Sequence, residues 1–237
     1  MRNFTHLQKK KVADKNGVIR TVWVRVEQKP KAQQKQAGGT DIERLRKEAT
    51  EIIGVHKKTF KGTLRDLEKA FPGANVYGRV KDIESAAQKI LRKPHYKSPK
   101  NLQDLSGFRV ERETIGDVKK DIAEIKRKFK VIDEDDYINN PNGDYRSFHV
   151  IIEDKTGKQF EVQLRTKNQT VWADWYHDIY KPRTAEQRKT IEKEKTTIVN
   201  YGHKMAEYFY AKDTGKQPPP KSPPCTRVIQ QTFGCIS

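Results

Sequence analysis

Long apolar runs are missing from this sequence. No stretch approaches the ~20 consecutive apolar residues that a membrane-crossing helix needs, so a helical membrane protein is not expected. Cysteine is scarce: there are two, Cys225 and Cys235, both close to the end of the chain. No C-x-x-C pair or Cys/His cluster offers a zinc site, and two cysteines do not by themselves say whether they pair. The opening Met1-Arg2-Asn3-Phe4-Thr5 lacks the apolar core of a secretory signal. The default setting is therefore a reducing cytoplasm, with export by a signal-less route as the setting in which a terminal disulfide would form. Acidic residues are short by comparison with basic ones: 31 Asp and Glu face 49 Lys and Arg, a formal net charge of +18. A field of that sign draws phosphates, whether on nucleotides, on nucleic acid or on an anionic membrane, or simply keeps Lys-rich helix faces solvated. Hydrophobic residues are no more frequent than charged ones, 34% each. A folded core is expected, with tails or exposed helices outside it.

Organisation along the chain follows from patterning. Residues 1–38 read as a basic β-hairpin and linker. Val18 to Val26 alternates apolar and polar residues after Asp14-Lys15-Asn16-Gly17, and Asn-Gly between such runs is a hairpin signal. Lys29 to Thr40 has linker composition. Residues 41–212 read as one α/β (α+β) domain. A helix is expected over Asp41–Phe71, capped by Asp41, with Ile42, Leu45, Ala49, Ile52 and Ile53 at helical spacing. A second is expected over Asp82–Leu91 and a strand over Leu102–Val110. A third helix covers Gly116–Lys130, with Val118, Ile122, Ile125 and Phe129 on one face. A short strand is expected at Tyr137-Ile138, followed by an Asn/Pro/Gly loop. Phe148–Glu153 and Gln159–Arg165 form a hairpin around Asp154-Lys155-Thr156-Gly157-Lys158, and helices follow over Gln169–Tyr180 and Ala185–Tyr210. Residues 213–237 read as a Pro-rich, extended and largely unpacked tail.

Within the central domain, residues with usable chemistry fall in separate segments. In Gly78 to Lys93, Ser85, Lys89 and Arg92 share a helix face and Lys81 precedes it by one turn. Such a stripe can cradle a polyphosphate, since charge-assisted bonds to phosphate oxygens are strong; taken alone, a solvated Lys/Arg face is the commoner explanation. Asp104, in Asp104-Leu105-Ser106-Gly107-Phe108-Arg109-Val110, offers hard oxygens to Mg²⁺, and Arg109 a planar guanidinium for stacking on a purine. A turn Asp is the bland alternative. In Glu161-Val162-Gln163-Leu164-Arg165-Thr166, strand geometry puts Glu161, Gln163 and Arg165 on one face. Glu161 could there complete a metal site with Asp104 or accept a proton; the alternative is the polar side of a half-exposed strand. Tyr145-Arg146-Ser147-Phe148-His149 offers a ring for base stacking and an imidazole for phosphate, or simply a loop Tyr and a structural His.

In order and spacing these segments resemble the synthetase domain of the RelA/SpoT family and its small stand-alone relatives, including toxic ones. The resemblance is carried by R-x-K-x-x-x-S-x-x-x-K from Arg79 to Lys89, D-L-x-G-x-R from Asp104, D-Y-I at Asp136 leading to Y-R-S-x-H at Tyr145, and E-V-Q-L-R-T from Glu161. Trp172-Ala173-Asp174, His177 and Tyr180-Lys181 also look like the helix that follows in that family. The resemblance implies a nucleotidyltransferase-like mixed β-sheet flanked by helices, with ATP as pyrophosphate donor and Mg²⁺ as cofactor. It implies transfer of the β,γ-pyrophosphate to the ribose 3′-hydroxyl of a GDP, GTP or adenine-nucleotide acceptor. By the same resemblance Arg79 and Arg109 sandwich the adenine. Lys81, Ser85 and Lys89 hold the ATP phosphates, and Asp104 and Glu161 serve the metal. Glu161 also activates the hydroxyl, and Tyr145 stacks on the acceptor base; His149 joins the acceptor side only by its imidazole's capacity for phosphate.

The acceptor loop departs from the family pattern. Asp135 and Asn142 stand where alarmone synthetases carry lysines that would meet the acceptor's 5′-phosphates, and Asp133-Glu134-Asp135-Asp136 is an acidic run. Carboxylates there repel a di- or triphosphate. A toxin that pyrophosphorylates the 3′ end of tRNA or other RNA is thus an alternative, with the basic hairpin as a grip on the backbone. A non-catalytic RNA-binding protein on a degenerate synthetase fold is a third reading; retention of Arg79, Lys81, Asp104 and Glu161 argues against it. No hydrolase motif set lies upstream. A synthetase without an off-switch suggests a toxin or a tightly regulated enzyme of the bacterial cytoplasm, and an antitoxin or immunity protein as partner.

Overall fold

The computed structural model describes residues 6–13, 19–26, 39–102, 104–182, 184–217 and 222–236, with side chains from Asp41 onward except that of Tyr180. Strands β1 (His6–Ala13) and β2 (Ile19–Val26) pair antiparallel from His6↔Val26 to Ala13↔Ile19. The expected Asn16-Gly17 turn lies outside the described residues, as do residues 29–38 of the linker and Pro218–Pro220 of the tail. The hairpin belongs to a compact unit ending at Glu43, and Arg44–Ser237 forms a second.

The second unit is built on a mixed five-stranded sheet of order β3-β4-β7-β6-β5. Its strands are β3 (Asn75–Val80), β4 (Ser106–Arg112), β5 (Lys130–Asp136), β6 (Phe148–Glu153) and β7 (Gln159–Thr166). Only the central β4–β7 pairing is parallel; β3–β4, β6–β7 and β5–β6 are antiparallel. Alternation on β4 and β7 decides which face is core. Phe108, Val110, Phe160, Val162 and Leu164 are buried in one hydrophobic cluster with Leu67 and Ala70 of α1 (Gly39–Ala70) and Val118 and Ile125 of α3 (Ile115–Lys128). Phe60 of α1 stacks on Phe108 at 4.7 Å between ring centroids. Gly78 on β3 is required by this packing: a Cβ there would lie 2.5 Å from Phe108 Cδ1 and 2.6 Å from the Gly107 carbonyl oxygen.

Helix α2 (Ile83–Arg92) is started by Asp82, whose side chain accepts from the Ser85 amide, and buries Ala86, Ala87 and Ile90. A second cluster joins Trp172 and Trp175 of α4 (Lys167–Tyr180) to Ile198, Tyr201, Met205 and Phe209 of α5 (Ala185–Asp213). Thr166 and Thr184 open α4 and α5 with capping boxes. The buried Asp213 at the end of α5 accepts from Thr166 Oγ1 at 2.6 Å and from Asn168 at 2.7 Å, tying α5 to the end of β7.

Several expectations are corrected. Asp41 lies inside the first turn of α1 rather than capping it; its charge still suits the helix N-terminus. Strand β3 has no sequence counterpart, because it is short, partly exposed and interrupted by a glycine. Tyr137-Ile138 is a turn, and the strand precedes it as β5. Apolar alternation is absent from Lys130–Asp136, and backbone pairing with β6 makes it a strand. The C-terminal segment is packed rather than extended throughout. Thr226 caps α6 (Arg227–Phe233), Ile229 is fully buried, and Cys225 is disulfide-bonded to Cys235. Proline content describes the approach to this segment, whereas burial of Ile229 against α4 and α5 decides its shape.

Candidate active site

On the sheet face opposite the Phe108 core, β3, β4 and β7 line a cleft of about 290 Å³. Period-two geometry puts Tyr77 and Arg79 of β3, Gly107 and Arg109 of β4, and Glu161 and Gln163 of β7 on this one face. Register sets their neighbours: Arg79 is opposite Gly107, Tyr77 opposite Arg109, and Gly107 beside Glu161. Gly107 has no side chain beside Glu161; a Cβ there would make only ordinary contact, 3.9 Å from Glu161 Oε2. Lys81 and Asp104 also line it, with Gly78 and Phe108, and Asp174 of α4 forms one wall.

Lys81 and Lys89 reach Asp104 from the end of β3 and from α2. Their Nζ atoms lie 3.1 and 2.7 Å from the same carboxylate oxygen, Oδ2. Burial pushes the Asp104 carboxyl up, but the Lys89 hydrogen bond and the charges of Lys81 and Lys89 outweigh it and hold the group below its ordinary value. Asp104 Oδ1 is buried and has no hydrogen-bond partner among the described residues. Glu161 behaves oppositely. Burial, and then the charge of Asp104, raise its carboxyl above the ordinary value. Its Oε2 accepts from Gln163 Nε2 at 3.0 Å, and its Oε1 lies 3.6 Å from His149 Nδ1.

His149 Nε2 shares a 2.7 Å hydrogen bond with the Tyr145 hydroxyl. The rings of Tyr137, Tyr145 and His149 meet edge to face, with centroids 5.2 to 5.7 Å apart. Burial raises the Tyr145 phenol and pushes that of Tyr137 up to about 12, so both stay protonated. The expected acceptor residues are thus joined to Glu161 through His149. Asp135 stands opposite His149 in the β5–β6 register and accepts from Tyr137 at 3.4 Å.

Of the residues singled out in the sequence, Arg79, Lys81, Asp104, Arg109 and Glu161 line the cleft, and Lys89 joins through Asp104. Ser85 is in the first turn of α2, exposed and outside the lining, with its amide on Asp82. Tyr77 carried no motif signal of its own, and Gln163, Asp174 and Lys181 stood in the quoted motifs without an assigned role. Tyr77 and Gln163 line the cleft, and Asp174 holds Arg109 by paired contacts of 3.1 Å. Lys181, at the end of α4, is pulled below the ordinary lysine value by burial and by the nearby charges of Arg92, Lys81, Lys89 and Lys93. Its place in that cation cluster comes from how α4 packs. Arg165 lies on the strand face it shares with Glu161 and Gln163, near Asp174, but is 1% exposed rather than half-exposed.

Residues 78–200 match the family described as a region found in RelA / SpoT proteins, a span of more than half of the 237 residues. The chain belongs to the RelA/SpoT family. A GTP pyrophosphokinase rsh of Brucella ovis is 30% identical over 126 residues, which are 50% of this RelA/SpoT chain and 17% of that protein. A GTP pyrophosphokinase of Haemophilus influenzae is 35% identical over 105 residues, 43% of this chain and 14% of that one. The matched stretch is thus a small part of those longer proteins. The small alarmone synthetase 2 of Bacillus subtilis superposes with a TM-score of 0.50 at 23% identity, covering 73% of this chain and 95% of that one. The likeness fits the RelA/SpoT chain's mixed sheet flanked by helices.

Proposed function

We propose that this chain is a pyrophosphokinase that transfers the β,γ-pyrophosphate of ATP to a ribose 3′-hydroxyl. The observation that carries the reading is the meeting of Glu161 and Asp104 in one cleft with Lys81, Lys89, Arg79 and Arg109. Phosphoryl-type transfer asks little covalent work of a protein; positioning and charge neutralisation dominate. Arg79 and Arg109 stand on one face of the adjacent strands β3 and β4, Arg79 opposite Gly107 and Arg109 two residues further along, and would hold a flat base between their guanidinium groups. Lys81 and Lys89, with Lys181 behind them, provide the positive field for the phosphates. Ser85 would serve this cradle from the first turn of α2.

The residues fit Mg²⁺. Asp104 keeps a buried oxygen without a partner among the described residues, and Glu161 offers a second hard carboxylate, raised by burial and then by the charge of Asp104. Asp104 and Glu161 would hold the ion, which when bound supplies charge neutralisation for the phosphate oxygens. The carboxylate of Glu161 accepts the 3′-hydroxyl proton, with its Oε2 held by Gln163 and His149 Nδ1 3.6 Å from its Oε1. Tyr145 stacks on the acceptor base, held by His149.

A second reading of the acceptor rests on β5. Asp135 stands next to the Tyr137–Tyr145–His149 group, where a 5′-polyphosphate would meet negative charge. An RNA 3′ end, which presents a terminal nucleoside without a 5′-polyphosphate, suits that edge better than GDP or GTP. The test is γ-labelled ATP with GDP, GTP, ATP or bulk tRNA. Label on any acceptor supports the enzyme, and label on none from folded protein supplied with Mg²⁺ refutes it in favour of a binding module. Asp135→Lys separates the acceptors: improved use of GDP with loss on tRNA supports the RNA reading, and no shift in preference removes Asp135 from acceptor choice. An immunity protein or antitoxin as partner is part of the toxin form of this proposal.

A further inference from the structure

Two guanidinium groups converge on one carboxylate at the cleft wall. Arg109 holds Asp174 with two contacts, Nη1 to Oδ2 and Nη2 to Oδ1, each 3.1 Å. Arg165 Nη2 stops 3.9 Å from the same Oδ1, beyond hydrogen-bond reach. Arg165 is 1% exposed, and its Nε and Nη2 have no hydrogen-bond partner among the described residues. Glu111, opposite Arg165 in the β4–β7 register, is committed elsewhere, to Asn75 at 2.8 Å and to the Tyr77 hydroxyl at 2.6 Å. A buried cation without hydrogen bonds is strongly unfavourable, and burial accordingly pulls the Arg165 guanidinium below its ordinary value. The side chain that could satisfy it is spent on Arg109. Asp174 is itself 57% exposed, so it has room to turn.

We propose that Asp174 is exchanged between the two arginines when the donor nucleotide binds. Arg109 leaves the carboxylate to stack on the purine, and Asp174 closes onto Arg165, whose unsatisfied donors are waiting for it. Arg165 is then a positioning residue: it does not touch the nucleotide, yet it offsets the loss of the Arg109–Asp174 pair and so sets donor affinity. The exchange rests on the reading of the cleft as a donor site, and specifically on Arg109 as a stacking residue. A purely structural Arg165 would stabilise the sheet and α4 equally with and without nucleotide.

The two roles separate in a single and a double variant read by calorimetric titration with a non-hydrolysable ATP analogue and Mg²⁺, without acceptor. Arg165→Met leaves Asp174 with no second partner, so affinity falls about tenfold or more, the scale of one charge-assisted hydrogen bond. Adding Asp174→Asn to that variant removes the ion pair that Arg109 must break, so affinity returns to within about threefold of the wild type. A double variant as weak as Arg165→Met overturns the exchange. Should Arg165→Met fail to fold, a crystal structure of the wild-type protein with the analogue decides the matter. Asp174 on Arg165 supports the proposal, and Asp174 still on Arg109 overturns it. A wild-type protein that binds no analogue overturns the donor-site reading and, with it, the trigger for exchange; binding with Asp174 unmoved overturns the exchange alone.

Discussion

Glu161→Gln removes the proposed base while keeping its shape, and the structure permits an estimate of both consequences. The amide oxygen can still accept from Gln163 Nε2, now 3.0 Å from the carboxylate. His149 Nδ1 is 3.6 Å from the other oxygen, too far for a bond that the amide would break. The substitution also deletes a carboxylate that burial and Asp104 already disfavour. Stability should therefore change by less than about 1 kcal/mol, a few degrees at most in thermal midpoint. Transfer should collapse, because an amide accepts no proton and is a poor partner for a hard cation. General-base removal alone is worth about a hundredfold or more, or ~2.7 kcal/mol in the barrier. The assay is transfer of labelled pyrophosphate from ATP to the acceptor found with wild-type protein, paired with thermal melting. A folded variant that keeps more than about a tenth of wild-type turnover would remove Glu161 from the chemistry.

Other parts of the molecule give separate predictions. Lys89→Ala should raise the apparent ATP requirement about tenfold whatever the acceptor, through loss of a charge-assisted contact; an effect confined to one acceptor would move Lys89 out of the donor cradle. Cys225→Ser should lower stability by roughly 2–3 kcal/mol, the loop entropy of a ring whose ends are 10 residues apart. Dithiothreitol should do the same to the wild type in denaturant titrations, with no added effect on the variant. His56 packs edge-on to Phe160 and bonds to the buried Ser106 hydroxyl. Burial, and then the charge of Lys158, hold it below its ordinary 6.5. Between that folded value and 6.5 the unfolded chain binds more protons, so stability falls as pH drops below 6.5, by at most about 1.4 kcal/mol per pH unit from this group. Melting from pH 7.5 to 5.5 should show a shallower loss in His56→Gln, and equal slopes would discount the histidine.

Local chemistry made much of this protein legible from its sequence. Helical spacing at Leu45, Ala49 and Ile53, the helix from Asp82 to Leu91, and the alternation through Val162 and Leu164 each act within a few residues, and the structure follows them. The motifs likewise named Arg79, Lys81, Asp104, Arg109 and Glu161, which the sheet brings into one cleft. What the sequence did not show depends on partners distant in the chain. Strand β5 exists because β6 pairs with it, and its acidic side chains give no strand pattern of their own. The C-terminal helix is held by Ile229 against α4 and α5 and by the Cys225–Cys235 bond, against a proline-rich composition that favours extended chain. Arg165 has the same alternation as Glu161 and Gln163, so sequence alone assigns all of them to one polar face; the packing over the end of β7 buries this one and leaves the others in the cleft. Asp174 is one acidic residue on a helix until α4 places it between two arginines. Residue type and spacing determined which chemistry was available. Long-range packing decided which of those groups share a charge, because Coulombic and hydrogen-bond partners are chosen by distance in space and not along the chain.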